Sequence, residues 1–396
     1  MRTKYDTIII GAGASGLFCA KSLADKKNDV LVLEKMDRPG LKLLITGGGM
    51  CNITRDQESF EMLKHYGPKG RFLGKAYSNL SPSNVIDFFA KNGVETFARE
   101  DHKVFPKSKK AINVLNALDD ESYPITYNFE VDEIKKVENL FIINDLYSCK
   151  NLAISTGGIT YPSTGSTGDG YKMARSLGHN IVDMKPTLTS LKIVNEDLKM
   201  IEGIALKNVT ISVPKEKGQK KYYSLTNDFL FTGNGISGPA VLDISRYCET
   251  GMIIKLNLNE IVEPISINQK LSNIIKKKTD LPSRLIDYIL KSEGIDDIEA
   301  SQTKKISWQK LNNRLSDWKM EISLKGATKM GMSTEGGIET SQIDNKTFES
   351  KVCDNLYFTG EIMDYSGDCG GYSLQACWST AYTVALAIDS KNKNQS

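Results

Sequence analysis

A chain of 396 residues, 40% of them apolar, is long enough to bury a sizeable core and points to two packed units. Its 51 Lys and Arg are nearly balanced by 48 Asp and Glu, and a formal net charge of +3 calls for neither nucleic acid nor an anionic membrane as partner. Seven cysteines without a C-x-x-C pair exclude a zinc knuckle and a thioredoxin-like dithiol and fit a reducing compartment.

Tyr5–Ile10 predicts a short buried strand, and Gly11-Ala12-Gly13-Ala14-Ser15-Gly16 follows as a turn. The apolar run Ile8-Ile9-Ile10 is too short for a signal peptide, and no later run approaches the roughly 18 apolar residues of a membrane span, so the expected compartment is the cytoplasm. A helix of small and apolar residues is expected from about Leu17 to Lys26, and Val30–Leu33 is the next strand, ending on Glu34. Strand, turn, helix and strand within about 30 residues make a βαβ unit, which implies a parallel sheet.

Leu80–Asn92 predicts a helix capped by Ser81 with Pro82 at its first position. Strand signals lie at Ile125–Val131 and Leu140–Ile143, with a hairpin between Val137 and Ile143. Asn151–Ser155 is a further buried strand running into Thr156-Gly157-Gly158, and Thr167–Leu177 reads as a helix ended by Gly178-His179-Asn180. The texture changes near Pro186. Thr187–Val194, Asn208–Val213, Lys221–Phe231 and Met252–Leu258 carry the alternation of an antiparallel meander or barrel. Residues 264–320 are Lys-rich and glycine-poor and read as helices, and strand signals resume near Gly331. The expected fold is α/β: a doubly wound, Rossmann-like domain formed by residues 1–186 and 331–396, interrupted by a β-barrel-plus-helix domain at 187–330.

Gly11-x-Gly13-x-x-Gly16 sits between a strand and a helix, the context in which it binds a dinucleotide. The first glycine allows the turn, the second lets backbone approach the pyrophosphate, and the third lets helix pack on strand. The helix N-terminus offers free N–H groups to the phosphates. Glu34 stands where a carboxylate accepts from the ribose hydroxyls and disfavours a 2′-phosphate. This motif alone does not separate FAD from NAD. Three later segments favour FAD, because a long cofactor needs distant segments to converge on it: Lys42-Leu43-Leu44-Ile45-Thr46-Gly47-Gly48-Gly49-Met50-Cys51-Asn52, Ser155–Gly158 with Ser163–Gly170, and Leu356–Glu361 leading to Gly370–Gln375.

With those residues in view, the chain resembles the YhiN-like, BaiN-like or aminoacetone-oxidase-like family of bacterial FAD-binding flavoproteins. The resemblance is carried by Gly11–Gly16, Lys42–Thr54, Ser155–His179, Phe231–Ser245 and Gly336–Trp378, and so spans nearly the whole chain. It implies an FAD domain with an inserted barrel. It further implies that the adenosine end meets Glu34, Lys35 and the backbone at Val131, and that the pyrophosphate meets Gly11, Gly13, Ala14, Ser15 and Gly16. The flavin side would meet Thr46–Asn52 (Thr46, Gly47, Gly48, Gly49, Cys51, Asn52), Gly360, Glu361, Asp364, and Gly371, Tyr372, Ser373 and Leu374. Lys42, Leu43, Thr156, Gly157 and Gly158 complete the expected cofactor set. A helix N-terminus at the flavin N1/C2 edge would stabilise the charge that reduction puts there.

Other residues have plainer readings beside functional ones. Cys51 has no second cysteine at short spacing and reads as a packed thiol rather than a redox one. His179 reads as the cap of the preceding helix, and His65 and His102 as surface. Tyr161 either lines the substrate cavity or packs a turn, and Asn234 and Ser237 are the candidates for substrate contact from the inserted domain, on the expectation that the cavity lies between the domains. No metal cluster and no obvious general base emerges. The leading expectation is an FAD-dependent oxidoreductase moving a hydride between flavin and a small organic molecule, with no nucleic acid as partner. Whether an amine is oxidised with O2 or an unsaturated carbonyl is reduced by NAD(P)H, acting as a transient reductant, stays open. The competing readings are a flavoprotein acting on tRNA and a flavin-binding module without turnover.

Overall fold

The computed structural model describes residues 3–215 and 221–393. The chain divides into two compact units, Met1–Pro186 with Met332–Ser396, and Thr187–Gly331.

The first unit is built on a seven-stranded sheet. Thr3–Ile10 lies between Val30–Leu33 and Tyr147–Ile154, parallel to both, with Ile10 opposite Leu33 and Ile154. Ile125–Thr126 extends the sheet beyond Val30–Leu33. The far edge of Tyr147–Ile154 is shared: its first half pairs antiparallel with Leu140–Ile143, and its second half pairs parallel with Leu356–Phe358. Ile8, Ile9 and Ile10 are buried because both sheet faces are covered, which is why this strand reads as a continuous apolar run. The long helix Tyr372–Lys393 packs on Ala14–Ala24, and Phe18, Phe89 and Trp378 interlock between them, with ring centroids 5.4 Å apart for Phe18–Trp378 and 5.5 Å for Phe89–Trp378. Pro82–Lys91 begins as expected: the Ser81 hydroxyl accepts from the Asn84 N–H, and the Asn84 side chain accepts from the Ser81 N–H.

The second unit is a closed barrel. Its strands run in the order Leu191–Ile193, Gly235–Ser237, Tyr222–Thr232, Ala205–Pro214, Ile253–Asn257, Trp318–Ser323. Phe229, Phe231, Trp318 and Ile211 fill it, and Leu271–Lys278, Ser283–Ser292 and Lys305–Ser316 are its helices. The doubly wound α/β domain and the barrel-plus-helix insert are thus both present.

Three expected bounds shift. The strand signal over Ile125–Val131 stops at Thr126, because Asn128 turns the chain with a φ of 53°. The helix expected from Thr167 begins at Asp169, since Gly168 before it is left-handed at 86°. Trp318–Ser323, whose first three residues fall in the stretch expected to be helical, is the strand that closes the barrel.

Candidate flavin site

The cofactor-binding residues expected from the sequence all belong to the first unit. The helix Ala14–Ala24 starts at Gly13 with no side-chain cap, so its first N–H groups have no partner from a capping side chain. A Cβ on Gly11 would lie 2.9 Å from the Ser155 carbonyl oxygen, and one on Gly16 would overlap the Gly11 carbonyl oxygen. A Cβ on Gly13, by contrast, would meet no atom within 4 Å. Two of the glycines are therefore demanded by packing within the chain, and the middle one faces open space. Ser15, next in the turn, is buried with its hydroxyl against Gly360, where a Cβ would lie 2.5 Å from the Ser15 Oγ.

Glu34 closes the turn from the second strand. Its carboxylate accepts from the Ala12 N–H at 2.6 Å and from the Met36 N–H at 2.9 Å. Beside it the Lys35 ammonium donates to Thr167 and pairs with Asp169, and these contacts hold the Asp169 carboxyl below its ordinary range against the opposing effect of burial. The segment leading to buried Val131 runs alongside, with the Phe129 N–H donating to the Glu34 carbonyl and the Asn128 N–H to that of Met36.

Lys42 connects three segments. Its ammonium donates to the Glu361 carboxylate at 2.8 Å and to the Thr160 hydroxyl at 2.9 Å. The other Glu361 oxygen accepts from the Thr334 N–H at 2.7 Å, and the Thr334 hydroxyl accepts from the Ile159 N–H at 2.9 Å. Gly158 lies against this cluster, where a Cβ would overlap the Thr334 hydroxyl. Gly157 has a φ of 73°, and the buried Thr156 Oγ1 has no hydrogen-bond partner among the described residues. Leu43 is buried, and its carbonyl oxygen accepts from the Thr46 hydroxyl at 2.6 Å.

Gly47, Gly48 and Gly49 all lie in the left-handed region, at φ of 56°, 67° and 86°. Three such residues in a row are accessible to glycine and costly for any residue with a Cβ. Gly47 and Gly48 are exposed, and a Cβ on Gly48 would touch nothing. Cys51 ends the turn at a φ of 60°, and burial pushes its thiol up to about 12. The Asn52 Oδ1 is buried and without a hydrogen-bond partner, an unused acceptor beside the glycines.

This loop meets the C-terminal segment directly. The Trp378 indole N–H donates to the Ile53 carbonyl at 3.0 Å, and a Cβ on Gly371 would lie 2.8 Å from the Thr54 carbonyl oxygen. Gly371 immediately precedes the helix that opens with Tyr372, Ser373 and Leu374. The Asp364 carboxylate accepts from Lys69 at 2.5 Å. Tyr372 is held between two cations or potential cations: the His65 ring stacks on it with centroids 4.4 Å apart, and the Arg55 guanidinium lies 5.1 Å from its centroid. His65 in turn bonds Asp368 at 2.8 Å, so it is half-buried in this cluster and not a bare surface residue. Arg55, His65, Lys69, Thr334 and Asp368 all escaped the sequence reading.

Tyr161 belongs to the same unit and adopts a φ of 55°, a conformation in which a bulky residue is strained. Asn234 and Ser237 belong to the second unit. Asn234 sits exposed in the two-residue turn between Tyr222–Thr232 and Gly235–Ser237, and its carbonyl accepts from the Ile193 N–H at 3.1 Å. The Ser237 hydroxyl accepts from Ser190 at 2.8 Å, and Pro239 just beyond opens a short helix, the structural role open to it in the sequence. His179 follows left-handed Gly178 at the end of Asp169–Ser176, with its own N–H donating to the Ala174 carbonyl, so its backbone caps that helix while its ring is buried.

Fold and site together define a flavoprotein oxidoreductase of the Rossmann type. Residues 5–387 match the family described as HI0933-like protein Rossmann domain, and the chain belongs to that family, the one its motifs resemble. It is 30% identical over 402 residues, 96% of this chain and 97% of the relative, to a ribosomal RNA dihydrouridine synthase of Escherichia coli (strain K12). It is 28% identical over 405 residues, 96% and 98% of the two chains, to a 3-dehydro-bile acid delta(4,6)-reductase of Clostridium scindens. Among solved structures, a 3-ketosteroid delta1-dehydrogenase from Sterolibacterium denitrificans superposes with a TM-score of 0.52 at 13% identity, covering 98% of this chain and 100% of that one, a likeness of fold. Among the described residues no helix is long and apolar enough to cross a membrane.

Proposed function

We propose that the chain is an FAD-dependent reductase that adds hydrogen across a carbon–carbon double bond conjugated to a carbonyl, with NAD(P)H as the reductant. The observation that carries this reading is the convergence, through the Lys42–Glu361 pair, of segments more than 300 positions apart on a strip of glycines with unfilled space and unfilled acceptors. FAD, when bound, supplies the hydride chemistry, and the protein supplies position and electrostatics. Gly11–Gly16 and the uncapped helix start would hold the pyrophosphate, and Glu34 with Lys35 the adenosine end. The open space at Gly48 would receive a flat ring system, and the Asn52 Oδ1 offers an acceptor of the kind that an isoalloxazine N–H fills. The start of Tyr372–Lys393 would supply backbone N–H groups and the positive end of a long helix dipole to the flavin.

The substrate class rests on the relatives. Both activities, those of a dihydrouridine synthase and a delta(4,6)-reductase, are the saturation of a ring double bond conjugated to a carbonyl. A free enone is the first candidate. A uracil ring in RNA is the second, favoured by the 30% identity to the ribosomal RNA enzyme, and it runs against the expectation of no nucleic acid. Anaerobic stopped-flow separates the possibilities. NADH or NADPH should bleach the flavin absorbance, and an enone or a uridine-rich RNA should restore it. Restoration only by oxygen, with bleaching by an amine, would overturn the reading in favour of an oxidase.

A further inference from the structure

We propose that one end of the barrel, built on Tyr223, Tyr247, Lys215 and Lys221, is a platform for single-stranded RNA. It gives the RNA reading a contact surface and to that extent rests on it, but its evidence lies wholly in the second unit.

The net charge of the chain conceals a split. Residues 187–331 carry 22 Lys and Arg against 17 Asp and Glu, whereas the rest of the chain carries 29 against 31. Within the basic unit, the two longest strands, Ala205–Pro214 and Tyr222–Thr232, pair antiparallel. Beyond their paired ends the Lys215 N–H donates to the Lys221 carbonyl at 2.7 Å, which puts two lysines side by side.

Next to them stands an aromatic stack in water. The rings of Tyr223 and Tyr247 lie nearly parallel, 18° apart, with centroids separated by 4.1 Å, yet the two residues are 37% and 41% exposed. The Lys215 ammonium lies 4.9 Å from the Tyr223 centroid. Among the described residues Tyr247 has no ring neighbour besides Tyr223, so the stack ends on a tyrosine that is still largely in solvent. An exposed tyrosine ring edged by ammonium groups suits an unpaired base: the ring stacks on the base and the lysines meet the flanking phosphates.

Tyr222, Ser224 and Thr226 alternate with Tyr223 and line the other face of the same strand, which a polymer rounding the end of the barrel would meet next. Thr210 pairs with Thr226 at 2.7 Å and Ser212 with Ser224 at 2.8 Å, giving exposed rungs of hydroxyls. Residues 208–214 and 222–227 include no charged side chain, so no carboxylate on this stretch opposes a phosphate. On that face Lys255 lies 5.1 Å from the Tyr222 centroid, tethered by Asp317 at 3.1 Å, which also faces Lys319.

The test is fluorescence anisotropy with the full chain and a labelled oligouridylate of about 20 nucleotides, between about 50 and 200 mM salt. Wild type should bind, with an affinity that falls as salt rises. Tyr247→Ala should weaken binding at least about fivefold with the salt slope unchanged, and Tyr247→Phe should retain it. Lys215→Ala and Lys221→Ala should each make the slope shallower by about 0.7. Flavin content should be the same in all variants, so failure of the redox reading and failure of this one appear in different measurements. Absence of binding by wild type, equal binding by Tyr247→Ala, or competition by inorganic polyphosphate as strong as by oligouridylate would overturn the proposal, the last by reducing the platform to a bare charge patch.

Discussion

Gly16 sits so close to Gly11 that a Cβ on the former would overlap the carbonyl oxygen of the latter. The contact is between backbone and backbone, on the helix and the turn that leaves the first strand, and neither partner can rotate away. Gly16→Ala should therefore destabilise the fold itself, by about 1–3 kcal/mol, the usual cost of overpacking. Thermal denaturation should show a melting temperature several degrees lower, and an unchanged melt would show that the turn relaxes freely.

Gly13→Val should behave in the opposite way. Space around Gly13 is open, so the valine is accommodated by the protein while filling the place proposed for the pyrophosphate. The expected product is a folded, colourless chain with near wild-type melting in the absence of cofactor. Wild-type flavin content in this variant would remove the Gly11–Gly16 turn from the cofactor site.

His179 should give the protein an acid-sensitive component. The Ser350 hydroxyl already accepts the N–H groups of Val352 and Cys353, so its own proton goes to His179 Nε2. The neutral ring then carries its proton on Nδ1, which is buried without a partner. Burial holds the imidazole below its usual value, so the unfolded chain takes up the proton first. This contribution is complete above the ordinary histidine value of about 6.5 and is lost as pH falls from there through the lower folded value. Melting temperatures between pH 5 and 8 should fall on the acid side in wild type and fall less in His179→Leu. Parallel curves would refute the assignment.

Cys51 should be inert as a thiol. Its thiol is buried, pushed up to about 12, and has no disulfide partner among the described residues. Native protein should not lose activity to iodoacetamide at pH 8 through this residue, and Cys51→Ser should keep most of its flavin reduction and turnover. Loss of turnover with flavin content intact would make Cys51 a redox group.

What could be read from the sequence was local. The Gly11–Gly16 turn, Glu34, the Gly47–Gly49 loop and the Ser81 cap are each specified within a few residues, and each lies where the pattern puts it. What could not be read depends on pairs that the chain order hides: His65 and Asp368 are 303 positions apart, and Lys69 and Asp364 are 295 apart. The strand Trp318–Ser323 carries an alternating burial pattern, but its lysine-rich neighbours made the region read as helical. Net charge hides a feature for a similar reason, because averaging over 396 residues cancels a basic insert against a slightly acidic remainder.

The most direct test of the account is the cofactor content of the purified chain, measured by its visible spectrum and by mass analysis of what denaturation releases. The account expects a yellow protein that yields about one FAD per chain, with Gly13→Val yielding none. Release of NAD, or failure to take up FAD on reconstitution, would contradict it.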